Sequence, residues 1–449
     1  MSETNGRGVS LHTKILIALL AGAAAGVTVN FLTPKPTPAW LDHLITYVMR
    51  PLGDIFLRML FLVVIPLVFA SLALGVAQLG RMGNLGRIGA KTFAFFLITM
   101  SIAVVIGLGL VNAVEPGVGL PRDTQDFLQK EFGKDAAKKT DKTTTFGVET
   151  FVNIVPRNPL AALVNMDMLA VIFFALLIGI GLTRISAERA QPIIATLEGI
   201  NDLMIVIIGW AMKLAPLGVF ALIFSVTARF GFDLLIPLGY YVAVVLIGIA
   251  IQMFGVLSIL LATLARTNPL EFFQKVRNVI ITAFSTSSSS ATLPTSIKTA
   301  EEELDIPPSI AGFVLPLGAT MNMNGTALFE GVTVMFLAQV FGVELSLGDQ
   351  LIVVVLSVLT AIGAAGVPGG SLPLLAMVLT TVNVPGEGIA LILGVDRLLD
   401  MCRTTLNVIG DLAAAMFVAR SERGGPEVTE PGPREADGAA YGAGGADGA

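Results

Sequence analysis

Cysteine is nearly absent from this 449-residue chain: Cys402 stands alone, so neither an internal disulfide nor a multi-cysteine metal site can form. Histidine is almost as scarce, with only His12 and His43. Without a Cys/His cluster, or a Ser/His/Asp pattern within one segment, a metalloenzyme or a hydrolase has little to be built from. Charge is thin as well, with Asp, Glu, Lys and Arg making up 14% of residues, where a soluble domain carries about 25%. That shortage, with a mean hydropathy of +0.81, excludes an ordinary soluble protein. The net charge of −5 partly reflects the tail beyond Arg423 and says little about partners; nucleic acid is not indicated.

Apolar length stands where charge is missing. Runs long enough to span a bilayer as helices recur at roughly 14–32, 40–78, 92–114, 151–183, 196–228, 235–265, 310–340 and 388–419. Two weaker, interrupted runs lie at about 268–297 and 350–383. The expected fold is an all-α polytopic membrane protein with eight transmembrane helices plus two re-entrant helical hairpins. Several runs exceed a vertical crossing, so tilted or broken helices are expected. The first run continues through the small residues Ala21–Ala25 to Leu32, beyond a signal-peptide core, and reads as a retained helix. Basic residues set the orientation: Arg7 and Lys14, Arg81, Arg87 and Lys91, Arg184 and Arg189, Arg266, Lys275 and Arg277, and Arg420 and Arg423 flank alternate ends. Those ends are cytoplasmic by the positive-inside rule, which puts both termini inside. The loop at 115–150 mixes Lys with Asp and Glu and is read as translocated despite its charge.

Within the last run, Asp396, Asp400, Arg403, Asn407 and Asp411 fall in a sector of roughly 80° on a helix, while Leu398, Leu399, Leu406 and Ile409 point elsewhere. An ionisable side chain at mid-membrane costs about 2.5–3.5 kcal/mol even on the lenient insertion scale, so this stripe must face protein, water or a ligand. A transport site is the default reading. The alternative is an internal ladder in which Asp396 and Asp400 pair with Arg397 and Arg403 only to hold helices together.

Up to residue 265 there are few such charges, which suits a scaffold. The prolines of Asn153–Pro159 should cut the fourth run into short pieces, and Ala215–Phe220 should kink the fifth. Beyond Arg266 the texture changes. The hydroxyl-rich Ser285–Pro294 fits a hairpin with a non-helical tip. Gly318–Thr326, with Asn322 and Asn324, should unwind and free carbonyl oxygens, hard ligands for a small cation. The glycine-rich Ala361–Pro373 fits a second, mobile hairpin tip, a gate without a charge to anchor it. Each interrupted segment precedes a long helix with a polar interior (268–297 with 310–340, 350–383 with 388–419), the pattern of inverted repeats around a midplane site. The tail at 421–449, rich in Gly, Pro, Ala and Glu, reads as disordered and cytoplasmic.

Together, Ser287–Pro294, Asn322–Thr326, Gly363–Gly369 and Asp396–Asp411 resemble the glutamate transporter family of dicarboxylate/amino acid:cation symporters, especially archaeal aspartate transporters and animal excitatory amino acid transporters. The resemblance runs from the first helix to Arg420. It implies a homotrimer in the cytoplasmic membrane that imports an acidic amino acid with sodium, a proton being a second candidate. Helices 1, 2, 4 and 5 of region 1–265 would form the scaffold and trimer contacts. Helices 3 and 6 would move with a transport domain at 266–420, as an elevator.

Matching positions inherit roles from that resemblance. Arg403 would pair with the substrate's side-chain carboxylate, a task suited to its planar fork, and Asp400 would hold the α-ammonium. Thr404, Asn407 and Thr326 would complete the pocket, with Ser288, Ser289 and Ser290 at one hairpin tip and Val367, Pro368 and Gly369 at the other. One sodium site would use Gly318, Asn322, Asn407 and Asp411; a second would use Thr320, Met323, Ala361, Ile362 and Ala364. Glu330 matches an acid that animal members use as a proton carrier. The chain also departs from the pattern. Asn324 stands where the family has an aspartate of a third sodium site, and Phe96 and Met100 replace a tyrosine and a serine there, although Thr99 remains. The arginine that the family carries either in the first hairpin or beside the substrate aspartate is also missing: Ser287 and Met401 occupy those places. A C4-dicarboxylate carrier and a neutral amino acid carrier stay open as alternatives. An intramembrane aspartyl protease is disfavoured because Asp400 and Asp411 lie about 16 Å apart along one helix, too far to share a water.

Overall fold

The computed structural model describes residues 11–33, 38–80, 86–120, 125, 155–165, 168–233, 235–364 and 366–422. Most of the 115–150 loop, Asn153 and the tail from 423 lie outside them, as do Arg7, Arg81 and Arg423. Among the described residues every regular element is helical. In order these are α1 (Leu11–Leu32), α2 (Ala39–Leu44), α3 (Arg50–Leu62), α4 (Val64–Gly80), α5 (Gly86–Val114), α6 (Pro159–Val164), α7 (Met168–Arg184), α8 (Ala187–Phe230), α9 (Leu235–Ala250) and α10 (Leu257–Thr263). They continue with α11 (Pro269–Lys275), α12 (Arg277–Thr286), α13 (Ser289–Glu302), α14 (Pro308–Met321), α15 (Asn324–Val340), α16 (Leu347–Gly363), α17 (Leu372–Thr381) and α18 (Leu393–Glu422). Single π-turns at Ile45–Met49 and Ile251–Val256 join α2 to α3 and α9 to α10.

Six of the resulting spans are long and apolar enough to cross a membrane: Thr13–Leu32, Ala39–Ala77, Arg87–Val114, Ala187–Arg229, Leu235–Thr263 and Leu393–Glu422. The breaks follow local chemistry. Pro159 and Pro269 open α6 and α11 at a position that needs no N–H, and the preceding Asn158 and Asn268 cap the free amides. Ser346 and Asp349 form a reciprocal capping box at the start of α16. The fourth run is divided into α6 and α7; Pro159 opens α6, and the break after it, at Asn165, carries no proline. The fifth is one continuous helix of 44 residues that runs through Pro192 and Pro216. Neighbouring groups in a bundle can satisfy the carbonyl freed by a proline.

Burial sorts the helices into centre and periphery. In α15 every residue except Gln339 is buried, and the apolar window of α18 is 83% buried against 17% for α1. Around α15 pack α5, α16 and α18, while α12, α13 and α14 gather on α18. On the outside, α1 lies along α8, and α4 along α7. Small residues permit the close approaches: a side chain at Gly22 would meet the Phe220 carbonyl at 2.9 Å, and one at Gly107 would meet Val332 at 2.9 Å. At one end Lys91 of α5 binds Glu422 at the end of α18 at 2.6 Å, and Arg87 pairs with the same carboxylate.

Candidate functional site

Three chain breaks and the polar face of α18 converge. The helix formed by 277–286 stops at Ser287, whose φ of 49° is left-handed, and Ser288 caps the next helix by accepting from the Ala291 N–H at 3.1 Å. Between α14 and α15, Asn322 and Met323 leave helical geometry (φ −115°, ψ 77° and φ −108°, ψ 66°). Between α16 and α17 the chain turns through Gly366–Ser371, with Gly369 at φ 76°. The two hairpin tips are tied together: Ser288 Oγ donates to the Gly366 carbonyl at 2.7 Å, and the Ser290 N–H donates to it at 3.3 Å. Gly366 is required here, because a Cβ would meet the Ala319 carbonyl and Ser290 Oγ, each at 2.9 Å.

A small cavity sits where these pieces meet. Asp400, Thr404 and Asn407 line it from α18, Met323 from the break before α15 and Thr326 from the first turn of α15, Ser287 and Ser289 from the first tip, and Ala364, Gly366, Val367 and Ser371 from the second. Six residues expected to touch a substrate therefore share one wall: Asp400, Thr404, Asn407, Ser289, Thr326 and Val367. Arg403, Ser288, Ser290, Pro368 and Gly369 are not on it. Ser288 is spent on the tip-to-tip bond, and Gly369 lies against Met212 of α8. Ser371 was not singled out from the sequence; it follows a glycine run, and its only signal was a hydroxyl at a helix start.

Arg403 is turned into the protein beside the cavity. Its guanidinium is 1% exposed, donates to Asp400 Oδ1 through Nη2 at 2.9 Å and Nε at 3.1 Å, and approaches Asp396 Oδ1 through Nη1 at 3.0 Å. It also lies over the Phe329 ring, 4.0 Å from the centroid, a favourable place for a cation. Asp400 Oδ2 accepts from Arg397 Nη1 at 3.1 Å. The ladder named as an alternative to a binding site is thus present, and it is built from the same residues as the cavity wall. Such a cluster offers a carboxylate to a ligand cation and, once the ladder shifts, a guanidinium to a ligand carboxylate.

Beside the cavity, amides lead to a further buried acid, Asp411. Asn407 Oδ1 accepts the Gly325 N–H at 2.7 Å, and its Nδ2 donates to Thr326 Oγ1 at 3.4 Å. Asn324 donates to Asn322 Oδ1 at 3.1 Å, and Asn322 donates to Asp411 Oδ1 at 2.8 Å. Asp411 presses against Gly318, where any Cβ would overlap its carboxylate. These hard oxygens around one carboxylate suit a small cation. Among the described residues no group of His, Cys, Asp and Glu forms a cluster for a metal of the zinc type. Of the other cation candidates, Met323 and Ala364 line the cavity, Ala361 and Ile362 are buried at the end of α16, and Thr320 is exposed, its hydroxyl donating to the Leu317 carbonyl at 3.0 Å.

Glu330 is fully buried in α15, with Thr360 of α16 at 2.5 Å from its Oε2 and, among the described residues, no partner on Oε1. Phe96 and Met100 are also fully buried. Thr99 gives its hydroxyl to the Phe95 carbonyl at 2.8 Å, and its own carbonyl accepts from Gln252 Nε2 at 2.9 Å.

Residues 11–421 match the model of the sodium:dicarboxylate symporter family. The chain is 36% identical over 414 residues to a proton/sodium-glutamate symport protein of Bacillus subtilis (strain 168), covering 92% of each chain. It is 34% identical to a proton/glutamate-aspartate symporter of Escherichia coli (strain K12), with 92% of this chain and 93% of that one aligned. A C4-dicarboxylate transport protein of Bacillus subtilis (strain 168) is 33% identical, with coverage of 92% and 94%.

Proposed function

The chain belongs to the sodium:dicarboxylate symporter family, a family of multi-pass membrane transporters and not of enzymes, and from that premise we propose that it imports acidic amino acids, aspartate or glutamate, with sodium. The observation that carries this reading is Asp400. Its carboxylate stands on the cavity wall beside a guanidinium, so the site offers an anion and a cation side by side. An amino acid with a second carboxylate presents the complementary pair: its ammonium takes Asp400 and its side-chain carboxylate takes Arg403. Thr326, Thr404, Asn407 and Ser289 are left for the α-carboxylate. A C4-dicarboxylate carries no ammonium, and Asp400 would repel it.

Sodium is cargo in this reading. Asp411, Asn322, Asn407 and the carbonyl at Gly318 would hold one ion, and Thr320, Met323, Ala361, Ile362 and Ala364 a second. A proton is the further candidate, carried by Glu330. Thr360 has one hydroxyl proton and two close acceptors, Glu330 Oε2 at 2.5 Å and the Leu356 carbonyl at 2.7 Å, so a proton on Glu330 would satisfy both contacts.

The wider frame follows the same proposal: eight transmembrane helices and two re-entrant hairpins (277–302 and 347–381) related as inverted repeats, and a homotrimer in the cytoplasmic membrane with both termini inside. Residues 266–420, with helices 3 and 6, would move as an elevator against the scaffold. The left-handed tip at Ser287 and the glycine tip at Gly366–Gly370 support the hairpins, and Arg87 and Lys91 meeting Glu422 support the start of α5 and the end of α18 lying on one side. Exposed Ile193, Leu203, Val206, Trp210 and Leu217 on α8 supply an apolar surface for lipid or for a second copy. The deciding experiment is labelled aspartate uptake into liposomes under a sodium gradient, with succinate, fumarate and serine as competitors. Competition by succinate equal to that by unlabelled aspartate would overturn the amino acid reading in favour of a dicarboxylate carrier.

A further inference from the structure

Arg397 is the cation of the cluster that the proposed function leaves without a role. It is 5% exposed, and a single donor, Nη1, reaches Asp400 Oδ2 at 3.1 Å. Its Nε and Nη2 are buried with no partner among the described residues. Burying an arginine and leaving most of its fork unpaired is costly unless those donors are used in another state.

We propose that Arg397 is a positioning residue that balances the charge of Asp396 and Asp400, so that Arg403 can be released from them to a substrate carboxylate. The assignment rests on the acidic-substrate reading above. Without Arg397, Asp396 and Asp400 would outnumber Arg403 by one negative charge, and the site would repel an anionic substrate. Moving Arg403 toward a ligand would also strand two buried carboxylates, since it is Arg403 that now contacts both, at 3.0 Å and 2.9 Å. With Arg397 the two charges of each sign cancel. Its hold on Asp400 Oδ2 survives when Arg403 leaves Oδ1, and the two unpaired donors are the reserve for the oxygens that Arg403 gives up. The ligand class this favours is an acyclic acid with two carboxylates and one ammonium. Such a ligand brings one net negative charge, which a neutral cluster with a mobile guanidinium accepts.

Aspartate binding by titration calorimetry, on purified protein in saturating sodium, tests this. Wild-type protein that binds neither aspartate nor glutamate overturns the functional reading itself, before any variant is compared. Given wild-type binding, Arg397→Gln should weaken aspartate by at least about 30-fold, as expected for a buried carboxylate left short of its partner. Arg397→Lys should stay within about threefold, because an ammonium keeps the balancing charge and its three N–H donors can serve Asp400 and an oxygen that Arg403 gives up. Asp396→Asn added to Arg397→Gln should restore affinity to within about tenfold, a charge rescue that a packing role would not produce. Wild-type affinity in Arg397→Gln overturns the assignment. If that variant does not fold, the other two decide: a 30-fold loss in folded Arg397→Lys, or in the double variant, overturns it equally.

Discussion

Arg403 grips Asp400 side-on, with Nη2 at 2.9 Å and Nε at 3.1 Å from the same oxygen, Oδ1. Both groups proposed to read the substrate are therefore occupied by each other. Paired, two buried charges satisfy one another; separated, each requires a new partner, because an uncompensated buried charge costs about 3–5 kcal/mol. A ligand that carries one group for each is the way to part them without that cost. The ladder and the binding site are two states of one set of side chains.

Arg403→Cys should abolish aspartate and glutamate uptake, by about 100-fold or more, since it removes a cation whose loss leaves Asp396 and Asp400 unbalanced. The smaller side chain leaves room for a neutral one, so serine or alanine uptake should appear. Counterflow with labelled aspartate and serine measures both. Unchanged aspartate affinity in the variant would exclude Arg403 as the carboxylate partner.

Asp400→Asn should separate amino acids from dicarboxylates. An amide cannot neutralise an ammonium, so aspartate should lose at least about tenfold, the cost of a charge-assisted hydrogen bond reduced to a neutral one. Succinate has no ammonium to lose and should compete relatively better than before. Equal losses for aspartate and succinate would argue that Asp400 only orients Arg403.

The charged helix was legible because charge inside an apolar run is rare and falls on one face at helical spacing. The breaks were legible through the left-handed or N–H-free geometry that Gly, Ser and Pro chemistry favours. Arg397 was harder to place. It projects about 100° from Asp396 on the helical wheel, outside the stripe, and only the reach of a long flexible side chain brings its head back to Asp400. The bond between Ser288 and Gly366 joins tips 78 residues apart, and no local pattern encodes it. At Ala215–Phe220 the helix continues through Pro216, since a membrane bundle can absorb one lost backbone bond.

The second tip should open as a gate. Among the described residues, the two bonds from Ser288 Oγ and the Ser290 N–H to the Gly366 carbonyl link it to the first tip, and each is worth about 0.5–1.5 kcal/mol net. Spin labels on Ser288-side and Gly370-side positions of the tips should report a long distance without ligand and a short one with aspartate and sodium. One unchanged distance in both conditions would refute the gate.

Gly325→Ala should destabilise the protein by about 1–3 kcal/mol, the usual cost of overpacking a rigid site. The added methyl would overlap the Arg403 backbone carbonyl, which has no flexible end to move. Thermal melting of the purified variant should show the drop, and aspartate affinity should fall with it because α15 and α18 are forced apart at the site. A melting temperature equal to wild type would mean the two helices slide apart freely here.

The protein should carry fewer sodium ions per substrate than relatives with the full third site. A buried sodium ion needs several oxygen ligands, preferably one of them anionic, and the oxygens nearest that description are already engaged. Asn324 is a neutral amide in place of a carboxylate, and it donates its own N–H to Asn322 Oδ1 at 3.1 Å. The Thr99 carbonyl is taken by Gln252 Nε2 at 2.9 Å. Phe96 has no hydroxyl, and Met100 offers only a thioether, a soft ligand ill-suited to sodium. Two amide N–H groups thus donate to oxygens that an ion would need. Glu330 is the candidate for a replacement proton: burying the neutral acid costs far less than burying its anion, so a carrier that crosses with this side chain enclosed would cross protonated. Uptake should then rise as the external pH falls at fixed sodium, and Glu330→Gln should flatten that dependence while keeping sodium-driven binding. Reversal potentials in liposomes, measured against sodium and proton gradients separately, give the stoichiometry. A value of three sodium ions per aspartate would defeat the prediction; one or two sodium ions, with any accompanying proton lost in Glu330→Gln, is the expected result.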